Sequence, residues 1–297
     1  MADNGISTLA NKELRQKAKL ALAATNRNAS GRYDAYDLAE LPAQYKVNAV
    51  INNSNSEGLL PGRPWSAGGA TLEDLVMFLD PWFATAGTDI YDQSLTGGNH
   101  GVLANGTVHD TASEPRAFVL DGVDDYIRSA NLYSDIGNPD TFSAGAWVYP
   151  TAAGVVLQIA GTPTPAQTYY FSALEFVDSA GSPVPNFGIW NGAGTTKDTG
   201  AALSYNNWYH MVIAYNGTVL KGYINGVEVA SASVTYDSPH DDLLTAHYLL
   251  WGAGSGTNMG SGAYLSGRMG EIRVYDTALD AAEVLANFNT SKSRYGY

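Results

Sequence analysis

From Phe142 to Tyr149 the chain alternates two sets of side chains: Phe142, Ala144, Ala146 and Val148 against Ser143, Gly145, Trp147 and Tyr149. A period of two with bulky residues on both faces predicts a strand between two layers. Short runs rich in β-branched and aromatic residues recur at 116–120, 155–160, 169–176, 186–190, 247–251 and 268–275, broken by Gly, Asn and Pro. Between Trp208 and Val234 two pairs, Asn216-Gly217 and Asn225-Gly226, separate three more such runs. Asn-Gly tolerates positive φ at both central turn positions, so each pair predicts a tight type I′ hairpin. Together they predict a three-stranded antiparallel meander. Helical spacing is confined to the two ends. Leu9, Leu14, Ala18 and Leu22 recur near it over residues 7–25. Asp280 and Glu283 form a capping pair ahead of Val284, Leu285 and Phe288. The pattern predicts a mainly β protein, an antiparallel two-sheet jelly-roll sandwich over residues 71–297. A helix and an extended arm precede it over residues 1–70, where Pro42, Pro61 and Pro64 interrupt any period.

Composition narrows the function classes. At 297 residues, 45% hydrophobic and 15% charged, the chain can bury a sizeable core beneath a lightly charged surface. Its formal net charge is −13, and the acidic excess falls after residue 64. That balance argues against a nucleic-acid surface, which needs clustered Lys and Arg. It is compatible with a bound divalent cation. There is no cysteine, so no disulfide contributes. The start, MADNGISTLANKELRQ, has no apolar h-region, so no signal peptide is predicted. No run approaches the roughly 18 apolar residues of a membrane span, and no membrane insertion is predicted.

Catalytic signals are sparse. The five histidines show no metal-like pairing, and His210, inside a predicted strand, reads as structural. Neither a Gly-x-Ser-x-Gly motif nor a phosphate loop occurs. Glu175 and Asp178 are three residues apart, which places them on opposite faces of a strand. Trp147, Trp190, Trp208 and Trp251 read as core residues rather than sugar-stacking platforms. Tyr169, Tyr236, Asn258 and Tyr264, at predicted loop edges, are the candidate glycan contacts.

Five segments, in order, resemble the LamG-like (laminin G) domains of the concanavalin A-like lectin/glucanase jelly rolls. They are IYDQSLTGGNHGVLANG (90–106), FVLDGVDDYI (118–127), TFSAGAWVYP (141–150), WYHMVIAYNGTVLKGYINGVEVA (208–230) and GRMGEIRVYDTALDAAEV (267–284). The resemblance covers residues 72–290 and implies the concanavalin A-like fold. Enzymes of this superfamily carry Glu-x-Asp-x-x-Glu on one strand, supplying the paired carboxylates of glycan hydrolysis. That triplet is absent here, so the resemblance implies a domain that is not an enzyme. Some relatives hold calcium with acidic residues near the sheet rim. Asp121, Asp124, Asp125 and Glu271 are the oxygen ligands this chain offers for Ca2+. Gly270 stands where the family's closing strand usually carries Asp.

The N-terminal segment also looks like the anchoring arms of bacteriophage particle proteins. The combination implies a phage virion structural protein, either a capsid decoration or a tail or fibre component, assembled in the host cytoplasm. Residues 1–64 would bind other virion proteins, and the protein would be a homo-oligomer or lattice-bound. The alternative is an adhesion module that recognises host-surface polysaccharide.

Overall fold

A computed structural model describes residues 74–83, 87–94, 99–129, 141–160, 170–190, 195–234, 248–254 and 264–297. The helix expected over 7–25, the arm, and the candidate contacts Tyr169, Tyr236 and Asn258 lie outside the described residues. The described strands are β1 (Leu75–Leu79), β2 (Asp89–Ile90), β3 (Gly101–Ala104), β4 (Val108–Asp110), β5 (Ala117–Asp121), β6 (Tyr126–Ser129), β7 (Phe142–Pro150) and β8 (Gly154–Ala160). There follow β9 (Tyr170–Ser179), β10 (Ser182–Trp190), β11 (Thr195–Thr199), β12 (Tyr209–Tyr215), β13 (Val219–Ile224), β14 (Val227–Ser233), β15 (Tyr248–Trp251) and β16 (Ser266–Tyr275). They form two antiparallel sheets. Sheet I runs β14-β13-β12-β7-β16-β5-β4, with β1 also paired to β16. Sheet II runs β11-β10-β9-β8-β15-β6-β3-β2. The result is the jelly-roll sandwich that the alternation predicts.

One large apolar core fills the space between the sheets. Phe118, Phe142, Met211 and Met269 enter it from sheet I; Leu157, Phe176, Phe187 and Trp251 enter it from sheet II. Each such side chain contributes about 1.5–3 kcal/mol on burial. The opposite face of sheet I carries the C-terminal elements. Helix α1 (Ala281–Ser291) and the short 3-10 turn Lys292–Tyr295 pack over it. Asp280 and Glu283 form the expected capping box, with bonds of 2.9 and 2.8 Å. Trp147 lies beneath this cover. Its Nε1 donates to Ser291 Oγ at 2.9 Å, and its ring stacks on Tyr295 at 4.3 Å. Among the described residues no helix is long and apolar enough to cross a membrane.

The meander is present, but its two turns differ. Asn225 and Gly226 have φ of 53° and 81°, and Ile224 pairs with Val227, so this is the two-residue turn expected. At Asn216-Gly217 only the glycine has positive φ, and Tyr215 pairs with Leu220 across a wider loop. The Asn216 side chain there accepts from the amides of Thr218 and Val219, an Asx turn in place of the I′ geometry. β1, a run of five apolar residues, is a strand that alternation does not reveal, because both its faces are buried.

Candidate functional site at the Asp121 turn

The turn from Asp121 to Asp125 carries the chain from β5 in sheet I to β6 in sheet II, at the rim of the sandwich. Its shape is set by its own carboxylates. Asp121 Oδ1 accepts from the Val123 amide at 2.7 Å, and Asp125 Oδ2 accepts from the Asp121 amide at 3.0 Å. The neighbouring turn buttresses it: Asn105, at φ 61°, donates through Nδ2 to the Asp124 carbonyl at 3.0 Å.

Folding this way leaves three carboxylates together. Asp121, Asp124 and Asp125 each offer an oxygen within 4.8 Å of the others. Their electrostatics differ. The donating Val123 amide holds the Asp121 carboxyl below its ordinary range. Burial pushes the Asp125 carboxyl up, and the charges of Asp121 and Asp124 push in the same direction. Tyr264 joins this rim. It bridges to Ala253 and packs against the cluster of Tyr126 and Leu250. Burial raises its hydroxyl pKa, with a further contribution from the Asp124 charge.

Glu271 does not belong to this group. It is buried on the outer face of sheet I, and two arginines occupy its carboxylate. Arg294 Nη1 reaches Oε1 at 2.6 Å and Arg273 Nη2 reaches Oε2 at 2.9 Å. The expectation that Glu271 is a free oxygen ligand is therefore corrected. Arg273, two residues on and so on the same strand face, is a partner the sequence offered; Arg294, 23 residues farther along, and the cover that buries the pair have no local signal. Gly270 has a local cause too. A Cβ built there would lie 2.3 Å from the Tyr295 hydroxyl, which in turn accepts the Glu271 amide at 2.9 Å. Tyr295 fills the space that a side chain at position 270 would need. Gly270→Ala is expected to cost about 1–3 kcal/mol, as overpacking of a filled site does. Paired denaturant melts check this, and Tyr295→Ala in the same chain should recover part of the loss.

Glu175 is buried and accepts from Asn186 Nδ2 at 3.1 Å, whereas Asp178 accepts from the Tyr205 hydroxyl at 2.8 Å. The two acids thus serve separate partners. Trp147 and Trp251 are fully buried, but Trp208 is only partly so.

A two-sheet antiparallel sandwich with an acidic rim turn defines a lectin-like jelly roll. The chain belongs to the concanavalin A-like lectin/glucanases superfamily, since the Laminin_G_3 family model matches residues 121–285. No curated protein matches by sequence. Among solved structures, Trypanosoma rangeli sialidase bound to the inhibitor DANA is similar at a TM-score of 0.55 and 17% identity, over 85% of this chain and 39% of that one. The binding domain of botulinum neurotoxin DC, in complex with SialylT, gives 0.48 and 13%, over 74% of this chain and 52% of that one. Domain 4 of AbnA, an extracellular arabinanase of Geobacillus stearothermophilus, in complex with arabinotriose, gives 0.46 and 17%, over 71% and 97%. The chain thus spans well under half of the sialidase and about half of the toxin domain. At these identities the likeness is one of fold.

Proposed function

We propose that this protein is a non-catalytic, lectin-like module that binds a surface polysaccharide at the rim formed by the Asp121 turn and Tyr264. The convergence of three carboxylates and an aromatic residue at one rim carries this reading. Glycan hydrolysis needs two carboxylates on either side of the scissile bond, about 5–9.5 Å apart. The rim instead gathers three within 4.8 Å. That spacing suits a hard cation, which takes oxygen ligands and could also accept sugar hydroxyls. Asp121, Asp124 and Asp125 are the residues that would hold calcium; Glu271 is not. Membership of a lectin and glucanase superfamily supports a carbohydrate partner. A glycan array with the full chain tests the reading, and binding to no sugar would leave only a structural role.

The cation has its own test. Calcium at 100 times its Kd should stabilise the fold by about 2.7 kcal/mol. The melting temperature should therefore fall on adding EDTA, and Asp124→Asn should blunt the response. A melting curve indifferent to EDTA removes calcium from the reading.

The setting we propose is the surface of a bacteriophage particle, to which residues 1–64 attach the domain in a capsid or tail lattice. Support comes from the sequence of that segment and the acidic domain that follows it. A chain lacking residues 1–64 should be excluded from particles; its normal incorporation would refute the setting.

A further inference from the structure

Among the described residues, helix α1 and the C-terminal turn cover only part of the outer face of sheet I. On β7 the edge of the cover falls between Trp147, which is fully buried, and Tyr149, which is partly exposed on the same face. Beyond that edge the strand registers line up one row of side chains across the sheet. Trp208, just before β12, meets Tyr149 at 5.6 Å between ring centroids. Tyr149 pairs with Arg268, Arg268 with Val119, and Val119 with Val108. None of the five is buried, and Val108 is 56% exposed. Neighbouring strands stand about 4.8 Å apart, so the row crosses roughly 20 Å of sheet.

A polar row lies parallel to it, one step nearer the rim. The Thr151 and Ser266 hydroxyls are bonded to each other at 2.8 Å, and Ser266 pairs with Asp121, the first residue of the acidic turn. Asn206 stands at the same end, its amide donating to the Pro150 carbonyl at 2.9 Å. A row with two aromatic rings at one end and two valines at the other, beside a row of hydroxyl, amide and carboxylate groups, matches the two-sided chemistry of a sugar chain. Such a chain presents C–H faces on one side and hydroxyl edges on another.

Charge selects among sugars. Arg268, the cation in the row, is held by Asp110 and so is already neutralised. Asp121, Asp124 and Asp125 close one end, and the chain as a whole carries −13. Without a cation, those carboxylates repel an anionic polysaccharide at that end, and no free cation among the row's five residues offsets them.

We propose that this face of sheet I, from Trp208 through Tyr149 and Arg268 to the Asp121 turn, is the surface along which a neutral polysaccharide lies. The proposal rests on the lectin-like reading above and gives it a location and a ligand class. Trp208 and Tyr149 form the stacking end; Thr151, Ser266 and Asp121 bond the hydroxyl edge.

The test is calorimetric titration of the full chain with neutral hexasaccharides of glucose, galactose, xylose and arabinose, and with uronic-acid hexasaccharides. Neutral hexasaccharide binding is expected, weakened about tenfold or more in Trp208→Ala and in Tyr149→Ala, a loss of about 1.4 kcal/mol. Thermal melts establish that each variant is folded. Because Trp208 also packs on Tyr295, Thr151→Val serves as a variant without a packing role and should weaken binding as well. Unchanged affinity in folded row variants, with loss in Asp124→Asn, overturns the proposed surface and leaves the lectin-like reading standing. Binding of the uronic-acid probes alone overturns the ligand class. Binding of no probe overturns both the proposed surface and the reading beneath it.

Discussion

Replacing Glu271 by alanine should destabilise the sandwich by about 3–5 kcal/mol, the usual cost of leaving a buried charge without its partner. The geometry places this carboxylate within a buried ionic network. Glu271 is 2% exposed, Arg273 7% and Arg294 9%, and Asp80, the second partner of Arg294, is 0% exposed. Burial alone would raise the Glu271 carboxyl, but the charges of Arg294 and Arg273 outweigh it and hold it below the ordinary range. Two acids therefore balance two arginines, and alanine leaves one buried positive charge over. The network also ties separate elements together. Arg273 Nη1 donates to Asn287 on α1 at 2.9 Å, while Asp80 follows β1 and Arg294 sits in the C-terminal turn. Loss of Glu271 should thus loosen the helix and the C-terminus before the core. Urea melts at neutral pH measure the total, and limited proteolysis of the last twenty or so residues reads the local part. A Glu271→Ala variant within 1 kcal/mol of the parent would show that the pairing contributes little beyond its own desolvation.

That network also marks how far the sequence could be read. Strands with alternating faces, such as β7, and the Asn225-Gly226 hairpin follow from local rules, since neighbours in the chain decide them. The wider loop at Asn216 does not, because the Asn side chain competed with the backbone for the same amides. Asp121, Asp124 and Asp125 are close in sequence, so their convergence in one turn was legible. Tyr264, 139 or more residues farther along, reaches the same rim only through the sheet order β8-β15-β6, which no local pattern encodes. Glu271 was misjudged for the same reason. A glutamate between two predicted strand residues looks like a rim acid until Arg294 and Asp80, 214 residues apart, close on it and on each other. Trp208 was read as core because strand tryptophans usually are. Its partial exposure depends on where the cover from α1 ends, a property of the C-terminal packing rather than of its own segment.

The second large effect is a dependence of stability on pH that one residue should supply. His210 lies on β12 beneath α1, its ring 5.3 Å from that of Trp147 and 6.2 Å from that of Phe288. Its Nδ1 is buried without a hydrogen-bond partner. Burial, and then the charge of Arg273, push its pKa down from 6.5 to about 3. A histidine depressed in the fold is neutral in both states above 6.5, so its effect on stability is constant there. As pH falls below 6.5 the unfolded chain takes up a proton that the folded chain refuses, and stability is lost at about 1.4 kcal/mol per unit. The loss levels off only near pH 3, where the folded protein also protonates. His210→Phe removes the titration and keeps an aromatic ring against Trp147. The parent should therefore lose about 3 kcal/mol more than this variant between pH 7 and pH 4. The paired and buried carboxylates contribute to both proteins alike and cancel in the difference. Chemical denaturation of the two proteins across that range gives the curve, and a flat difference would mean that His210 is protonated in the fold or reached by water.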